Sequence, residues 1–496
     1  MTATAPSFLG TARGRLTLTL LCAIAFLDFI DASIVNVALP AMRADLHFSM
    51  QDLQWVPSGY LLTYGGFMLL GGRAADLLGR RRVVVAGTVL FGASSVVGGL
   101  AGSPGLLIAA RLAQGVGAAL MLPATLSILT TAFQGPDRAK ALGVWGGVGG
   151  GASAAGVLLG GLLTDGPGWR WVMLVNPPVC VLVLVGVYLL VDDDRRTARL
   201  AHFDLPGAIL ATGGMLLLVF TLIKAPDAGW DTARTIGGLA GAFAVLAVFL
   251  LNERRARHPL LPLSIFRIRG LAAADVTQLI AMAGFLAMFF FLSLYMENVL
   301  GYSPLQTGAA YLPLCAGVGI AAGVTAQLIP RTGTRPLIIA GLLIAAAGLY
   351  LLSRVPVDGT YLADLLPGLL VASAGLGLVF VAVTTAANAG VPVEQAGLAA
   401  SLINASQQLG GAVGLAVFSA LAAARTTDLA AGGRPVPEAL TGGFHRALLG
   451  AAVFVAAAAV VALRAANTRG EHEGEHEEDA SEPPAAVPAA EPLRFS

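Results

Sequence analysis

The chain has 496 residues, of which 56% are hydrophobic and only 12% are charged, whereas soluble globular proteins carry roughly 25% charged residues. Its 29 acidic and 30 basic residues nearly cancel, which argues against a nucleic-acid partner. Three isolated cysteines support neither a disulfide framework nor a zinc site, so we expect no bound metal. The composition therefore predicts an all-α polytopic membrane protein.

Fourteen apolar runs are long enough to cross a bilayer, which takes about 20 residues each. Their approximate limits are 16–38, 54–71, 83–101, 105–133, 140–163, 171–191, 205–223, 235–252, 271–296, 305–328, 336–353, 361–385, 396–423 and 444–463. The first run carries two acidic residues in its middle, which favours a retained helix over a signal peptide. The central pair, 205–223 and 235–252, is the weakest, and without it the count falls to twelve.

The basic residues set the orientation. Lysine and arginine number 21 in the segments on the same side as the N-terminus and 8 in those on the opposite side, with Arg111 inside a span. Positive charge concentrates on the cytoplasmic face of membrane proteins. We therefore expect a multi-pass protein of the cell membrane with both termini in the cytoplasm, although this count does not separate fourteen helices from twelve.

An internal repeat divides the chain into two halves, since an offset of 254 residues aligns equivalent positions along the predicted helices. The aligned pairs are Ser49/Ser303, Gly79/Gly333, Gly143/Gly397, Gly156/Gly410 and Gly160/Gly414. The predicted organisation is a cytoplasmic N-terminus (1–15), a six-helix bundle (16–191), an extra helix pair with its linkers (192–270), a second six-helix bundle (271–463) and a tail (464–496). The His/Glu-rich tail is expected to be disordered and solvated rather than metal-binding.

Ionisable residues inside the hydrocarbon are costly and indicate function. Asp28 and Asp31 share one face of the first helix, so we expect at least one of them to exchange a proton in the physiological range. Arg111, in the fourth helix, lies at a depth similar to that of Asp31, because each is roughly 10 Å from the outer helix end at 1.5 Å per residue. Arg111 would then stabilise the ionised aspartate and lose that partner on protonation. The alternative is a static ion pair that only fixes helix register.

Six sequence motifs resemble those of the major facilitator superfamily, and within it the fourteen-helix drug:proton antiporters. Residues 31–40 (DASIVNVALP) resemble that family's first-helix signature. The loop 72–82 (GRAADLLGRRR) is similar to the motif between its second and third helices, and 111–119 (RLAQGVGAA) to its fourth-helix motif. Shorter matches lie at 169–171, 300–304 and 407–411.

The resemblance implies a major facilitator fold of two six-helix bundles with an extra central helix pair. It also implies an association of Arg111 with proton transfer. The motif loop implies a conformational latch, for which the expected residues are Gly72, Asp76, Gly79, Arg80 and Arg81. In the fifth helix it implies an antiport-type motif, here Gly143, Gly156, Gly160 and Gly161. The family's usual Gly-Pro step reads Gly156-Val157 in this chain.

A substrate cavity is expected between the two halves, where aromatic rings can hold flat or cationic molecules. The candidates are Phe26, Phe29, Asn36, Tyr60, Tyr64, Gln114, Phe285, Phe289, Asn404, Gln407 and Gln408. Three other acidic residues, Asp275, Glu297 and Asp364, lie near helix ends, where we expect water to solvate them.

The predicted function is the export of drug-like small molecules in exchange for protons, by a protein that is a monomer in the bilayer and no enzyme. No cofactor is expected, because the chain has only two lysines and no G-x-x-x-x-G-K-[ST] loop for ATP. Val157 at the usual proline position keeps a proton-coupled importer on the same fold open. A membrane enzyme or sensor would require a catalytic constellation or a signalling domain, and the sequence shows neither.

Overall fold

The computed structural model describes residues 8–133, 136–192, 204–256, 259–261, 263–268, 270–389, 391 and 396–469. Most of the predicted tail, from residue 470 onward, and the first seven residues of the predicted N-terminal segment lie outside this part of the chain. Within it, the fold is built from α-helices with 3₁₀ turns at Phe8–Gly10 and Leu263–Arg267 and a π-helical turn at Tyr361–Leu365.

The α-helices run in chain order as follows: α1 (Ala12–Leu46), α2 (Met50–Leu53), α3 (Trp55–Leu78), α4 (Arg80–Gly99), α5 (Pro104–Ala132), α6 (Pro136–Asp165), α7 (Arg170–Leu174), α8 (Asn176–Leu190), α9 (Leu205–Ala228), α10 (Ala233–Arg255), α11 (Leu271–Asn298), α12 (Pro304–Ala310), α13 (Leu312–Thr332), α14 (Thr334–Leu352), α15 (Leu366–Asn388), α16 (Ala396–Ala431) and α17 (Val436–Ala462).

Within the described residues, twelve helical segments are long and apolar enough to cross a membrane. The chain is therefore a multi-pass membrane protein. Two further long helices, α3 with 24 residues and α6 with 30 residues, are not among these twelve. The count of fourteen membrane helices thus stays a prediction.

The first helix extends well beyond its predicted apolar run of 16–38. It begins after Thr11, whose side chain accepts a hydrogen bond from the backbone N–H of Gly14, and it ends at His47 in the left-handed conformation. The apolar run covers only the part of a helix that lies in hydrocarbon, whereas the caps decide where the helix itself stops. The predicted central runs, 205–223 and 235–252, agree more closely with the observed helices α9 (Leu205–Ala228) and α10 (Ala233–Arg255) than the first run does with α1.

The internal repeat has a structural counterpart at its aligned positions. Ser49 and Ser303 each cap the start of a short helix, α2 and α12, through the side-chain oxygen. Gly79 and Gly333 each join two long helices with positive φ angles of 98° and 81°, a conformation that favours glycine. The two halves therefore repeat the same local structure.

Glycines also determine how the halves and the central pair meet. A Cβ atom on Gly66 of α3 would lie 2.5 Å from the hydroxyl of Thr212 in α9, and one on Gly65 would lie 3.0 Å from Cβ of Gln408 in α16. Helix α9 thus packs where α3 of the first half meets α16 of the second. Helix α10 lies outside α9, and most of its apolar side chains are not buried.

Candidate functional site

Asp31 and Arg111 form an ion pair inside the first half, with side chains 0% and 1% exposed. Arg111 Nη1 donates to Asp31 Oδ2 at 2.6 Å, and Asp31 Oδ1 accepts from Gln114 Nε2 at 2.9 Å and from Asn176 Nδ2 at 2.7 Å. Arg111 Nε also donates to the carbonyl of Val56 at 3.1 Å. Both carboxylate oxygens are engaged by donors, so the arrangement suits an ionised aspartate.

Asp28 lies one turn earlier in α1 and has different partners. The hydroxyl groups of Tyr60 and Tyr64 donate to its two oxygens at 2.6 and 3.0 Å. The guanidinium of Arg111 lies 4.2 Å from the ring centroid of Tyr60, a distance typical of a cation–π interaction. Tyr60 therefore contacts both the Asp28 carboxyl and the cation that neutralises Asp31, which makes the two aspartates one connected polar site.

Two members of this site, Asn176 and Ser95, were not among the predicted residues. Asn176 Nδ2 also donates to Ser95 Oγ at 3.0 Å, and Ser95 Oγ donates to the carbonyl of Met173. Asn176 is a polar side chain inside an otherwise apolar run and precedes two prolines. That pattern could have identified it, because an amide in such a run needs a partner within the bundle.

The predicted latch loop joins α3 to α4 through Gly79. Arg80 Nη1 donates to the hydroxyl of Thr131 at 2.7 Å, near the end of α5. Arg81 donates to the carbonyl of Tyr188 and lies over its ring, which ties the loop to the end of α8. The arginines at the end of the loop therefore join the start of α4 to the ends of α5 and α8.

Two other predicted latch residues, Gly72 and Asp76, lie in α3. A Cβ on Gly72 would lie 3.7 Å from Pro123 and 4.0 Å from Ser401 of α16, so this glycine lies where α3 approaches the second half. Asp76 lies within α3, but its side chain is outside the described residues.

The glycines of α6 face two different neighbours. A Cβ on Gly160 would lie 2.8 Å from the carbonyl oxygen of Ile34, and one on Gly156 would lie 2.9 Å from that of Ile30, both in α1. Only glycine permits such close approach of two helix backbones. Gly143 is in the same helix, and its surroundings are outside the described residues.

Gly161 faces the second half of the molecule. A Cβ there would lie 2.7 Å from Cα of Leu305 and 2.8 Å from the carbonyl oxygen of Pro304 in α12. One on Gly308 would lie 2.6 Å from the carbonyl oxygen of Val157. The two halves therefore close against each other at this end of α6, and Val157, at the usual proline position, contributes a backbone oxygen to that contact.

Within the described part of the chain, the predicted cavity residues lie in several different surroundings. Tyr60, Tyr64 and Gln114 belong to the aspartate site described above. Phe285 and Phe289 stack edge to face, with ring centroids 4.8 Å apart, in the core of the second half. The others are placed as follows: Phe26 is 37% exposed, Phe29 packs against the core of the first half, Asn36 donates to the carbonyl of Ala32, and Asn404, Gln407 and Gln408 lie in α16.

Of the three acidic residues expected in water, Asp364 alone matches that expectation, because it binds the backbone N–H and hydroxyl of Thr360 at a helix start. Asp275 is only 4% exposed, and neither of its carboxylate oxygens has a hydrogen-bond partner among the described residues. Glu297 also has one buried oxygen, Oε1, without a partner there. The expectation of solvation is therefore wrong for Asp275 and for one oxygen of Glu297.

Comparison with known proteins agrees with this architecture. A profile of the Major Facilitator Superfamily matches residues 21–415. The puromycin resistance protein pur8 of Streptomyces alboniger is 40% identical over 432 residues, covering 86% of this chain and 85% of the relative. The cephamycin export protein CmcT of Amycolatopsis lactamdurans is 38% identical over 457 residues, covering 91% and 92%. The lincomycin resistance protein of Streptomyces lincolnensis is 38% identical over 419 residues, covering 82% and 85%.

Solved structures share the fold at much lower identity. A bacterial homologue of the human lysosomal transporter Spinster, in an inward-facing and unoccupied conformation, superposes with a TM-score of 0.65 at 17% identity, covering 91% of this chain and 97% of that one. The human organic anion transporter MFSD10 superposes with a TM-score of 0.60 at 16% identity, covering 91% and 100%. Both similarities concern the fold alone.

Proposed function

Because this chain belongs to the major facilitator superfamily, a family of transporters, we propose that it exports hydrophobic or cationic small molecules in exchange for protons. Relatives at 38–40% identity are named for resistance to puromycin and lincomycin or for export of cephamycin. Antibiotics of this kind are therefore the substrate class to test first. The proposed protein is a monomer in the cell membrane, driven by the proton gradient without a nucleotide or other cofactor.

The proposed architecture has fourteen membrane helices, in which α3 and α6 also cross the bilayer and α9 with α10 form an extra central pair. Three features support it: the lengths of α3 and α6, the equivalent caps in the two halves, and the excess of basic residues on the side of the N-terminus. In this arrangement both termini are cytoplasmic. The contact between Gly161 and Pro304 then lies at the outer end of the molecule.

The buried pair of Asp31 and Arg111 is the observation that carries the proposed mechanism. Its partners are all neutral, so protonation of Asp31 leaves Arg111 without a counter-ion in low dielectric. That imbalance can be relieved by rearrangement of α1 against α5, which is how proton binding would favour one conformation of the transporter over the other. Asp28, connected through Tyr60, is the proposed second member of the proton-coupling site.

The alternating-access step would use the contacts at both ends of the bundle. The outer ends of α6 and α12 separate when the molecule opens outward, and the loop from Gly72 to Arg81 changes its contacts at the inner end. The glycines of α6 permit close approach in one state without bonds that would hold the halves together permanently. This is the proposed role of the latch residues and of the α6 glycines.

The test is transport in proteoliposomes that contain a pH-sensitive dye, with puromycin and lincomycin as the first probes. In antiport, an outward-directed drug gradient drives protons into the vesicles, and an imposed proton gradient drives drug accumulation on the proton-rich side. The competing function is a proton-coupled importer, kept open by Val157, in which drug and protons leave the vesicles together. Proton exit with the drug would contradict the proposal, as would drug movement that ignores the proton gradient.

A further inference from the structure

Asp275 lies near the start of α11 in the second half, four residues after Leu271. Its side chain is 4% exposed, and both carboxylate oxygens are buried without a hydrogen-bond partner among the described residues. A buried carboxylate usually has a cation or several donors beside it. The mechanism described above makes no use of this residue, so its burial requires another explanation.

One turn further along α11, Gln278 presents a second unsatisfied acceptor. The residue is 1% exposed, and its Oε1 atom has no partner within the described part of the chain. Residues three apart on a helix are neighbours on one face. Asp275 and Gln278 together place three buried acceptor oxygens on one turn without a donor. Such a set requires a proton, a cation or another hydrogen-bond donor, since neither another acceptor nor an apolar group can pair with it.

Among the described residues, no side chain forms an ion pair with Asp275. The helices packed against α11 are mainly α1, α15, α16 and α17. The Asp275 carboxyl is buried, and no described side chain donates a hydrogen bond to either of its oxygens. An ionised carboxylate in this setting would be a lone charge in low dielectric, which proteins avoid by binding a proton.

Polar side chains of α16 lie between this turn and the aspartate site of the first half. Gln278 Nε2 donates to Gln407 Oε1 of α16 at 3.4 Å. The next residue, Gln408, lies beside α3, because a Cβ on Gly65 would lie 3.0 Å from its Cβ. Tyr64 of α3 donates to Asp28. Polar side chains thus lie between the second half and the aspartate site of the first.

The Asp275 carboxyl lies nearer to the start of its helix than the Asp28 carboxyl does. Asp275 is four residues from the start of α11, about 6 Å along the axis, whereas Asp28 is sixteen residues from the start of α1, about 24 Å. Both helices start at the end that is cytoplasmic in the proposed orientation. Asp275 thus lies between the central site and the cytoplasm.

We propose that Asp275 is a second proton-binding site, from which protons that enter at the central aspartates leave for the cytoplasm. The inference rests on the proposed antiport function. In the state described here the carboxyl carries a proton. When the inner end admits water, its O–H bond breaks, the proton passes to a water molecule, and the carboxylate keeps the electron pair.

The test compares purified wild-type protein with Asp275→Asn, which keeps the shape and removes the proton site, and with Asp275→Glu, which restores a carboxyl. Glu438→Gln is the matched control, because Glu438 is a half-exposed carboxylate paired with Arg434 on the surface. Infrared spectroscopy in D₂O and H₂O reports the C=O band of protonated carboxyls without any substrate. We expect one such band to be absent in Asp275→Asn, shifted in Asp275→Glu and unchanged in the control.

Transport gives a second readout, with ethidium as the cationic probe in proteoliposomes. Each coupled proton contributes a factor of about 10 to the attainable concentration ratio per pH unit, since one pH unit equals 1.36 kcal/mol. Because every coupled proton leaves through Asp275 in this proposal, we expect Asp275→Asn to abolish proton-driven accumulation. The ratio then falls about tenfold per coupled proton at a one-unit gradient, with Asp275→Glu and the control near wild type.

The two readouts separate failure of this inference from failure of the proposed function. An unchanged infrared band together with an unchanged ethidium ratio in Asp275→Asn would overturn the inference while leaving antiport intact. Loss of the band in a protein whose wild type moves no drug would support the proton site and refute the antiport. If Asp275→Asn does not fold, an unshifted band in Asp275→Glu suffices to overturn the inference.

Discussion

Replacing Asp31 by asparagine tests the central site most directly. The substitution keeps the size of the side chain but leaves Arg111 as a buried cation whose carboxylate partner, 2.6 Å away, is gone. It also replaces one of two acceptor oxygens by an NH₂ group, which faces either the donor of Arg111 or those of Gln114 and Asn176. Breaking a buried ion pair by removing one partner costs about 3–5 kcal/mol. We therefore expect a loss of that size in stability together with the loss of proton-driven efflux.

The assay measures ethidium efflux and the thermal unfolding midpoint for Asp31→Asn and for Asp45→Asn. The control residue is in the same helix, but its side chain is 45% exposed and pairs with Arg170 at the surface, a contact worth about 0–1 kcal/mol. We expect Asp45→Asn to export ethidium at the wild-type rate and to unfold at the wild-type midpoint. Proton-driven efflux at the wild-type rate in Asp31→Asn would refute the reasoning.

A double variant, Asp31→Asn with Arg111→Gln, separates coupling from a static ion pair. It removes both charges, so the cost of a lone buried cation disappears and stability is expected to recover in part. Proton-driven transport is expected to stay lost, because the carboxyl whose protonation would release Arg111 is gone even though Asp28 and Asp275 remain. Recovery of transport together with stability would mean that the pair only fixes helix register.

Three further predictions concern the glycines and Tyr60. Gly161→Leu should keep the outer ends apart, because its Cβ would lie 2.8 Å from the carbonyl oxygen of Pro304. Labelling of cysteines introduced at the outer ends of α6 and α12 should rise, while Gly102→Ala, with nothing within 4 Å of its Cβ, should change nothing. Tyr60→Phe keeps the ring under the guanidinium but removes a hydrogen bond, so the pH profile of efflux should shift with a stability loss of about 1–3 kcal/mol. Gly79→Ala forces a side chain onto a φ of 98° and should lower stability by about 1–3 kcal/mol, measured by thermal unfolding.

Much of the fold follows from local features of the chain. Apolar length and the excess of basic residues on one side predict helices and orientation, because the bilayer acts on each segment separately. The aligned pairs Ser49/Ser303 and Gly79/Gly333 predicted a repeat, since capping and positive φ angles depend only on neighbouring residues. The ends of α1 could not be predicted from its apolar run, because its caps lie beyond the hydrophobic part.

The candidate site, like the fold, could be predicted only in part from the sequence. The sequence by itself identified Asp28, Asp31 and Arg111, because a charge in an apolar run is conspicuous whatever surrounds it. Only the tertiary structure decided their partners: tyrosines for one aspartate, and an arginine with two amides for the other. Likewise, it buried Asp275 near a helix end, where the sequence had predicted solvent. Burial and hydrogen bonding depend on helices distant in the chain, and no local pattern records which of them will pack together.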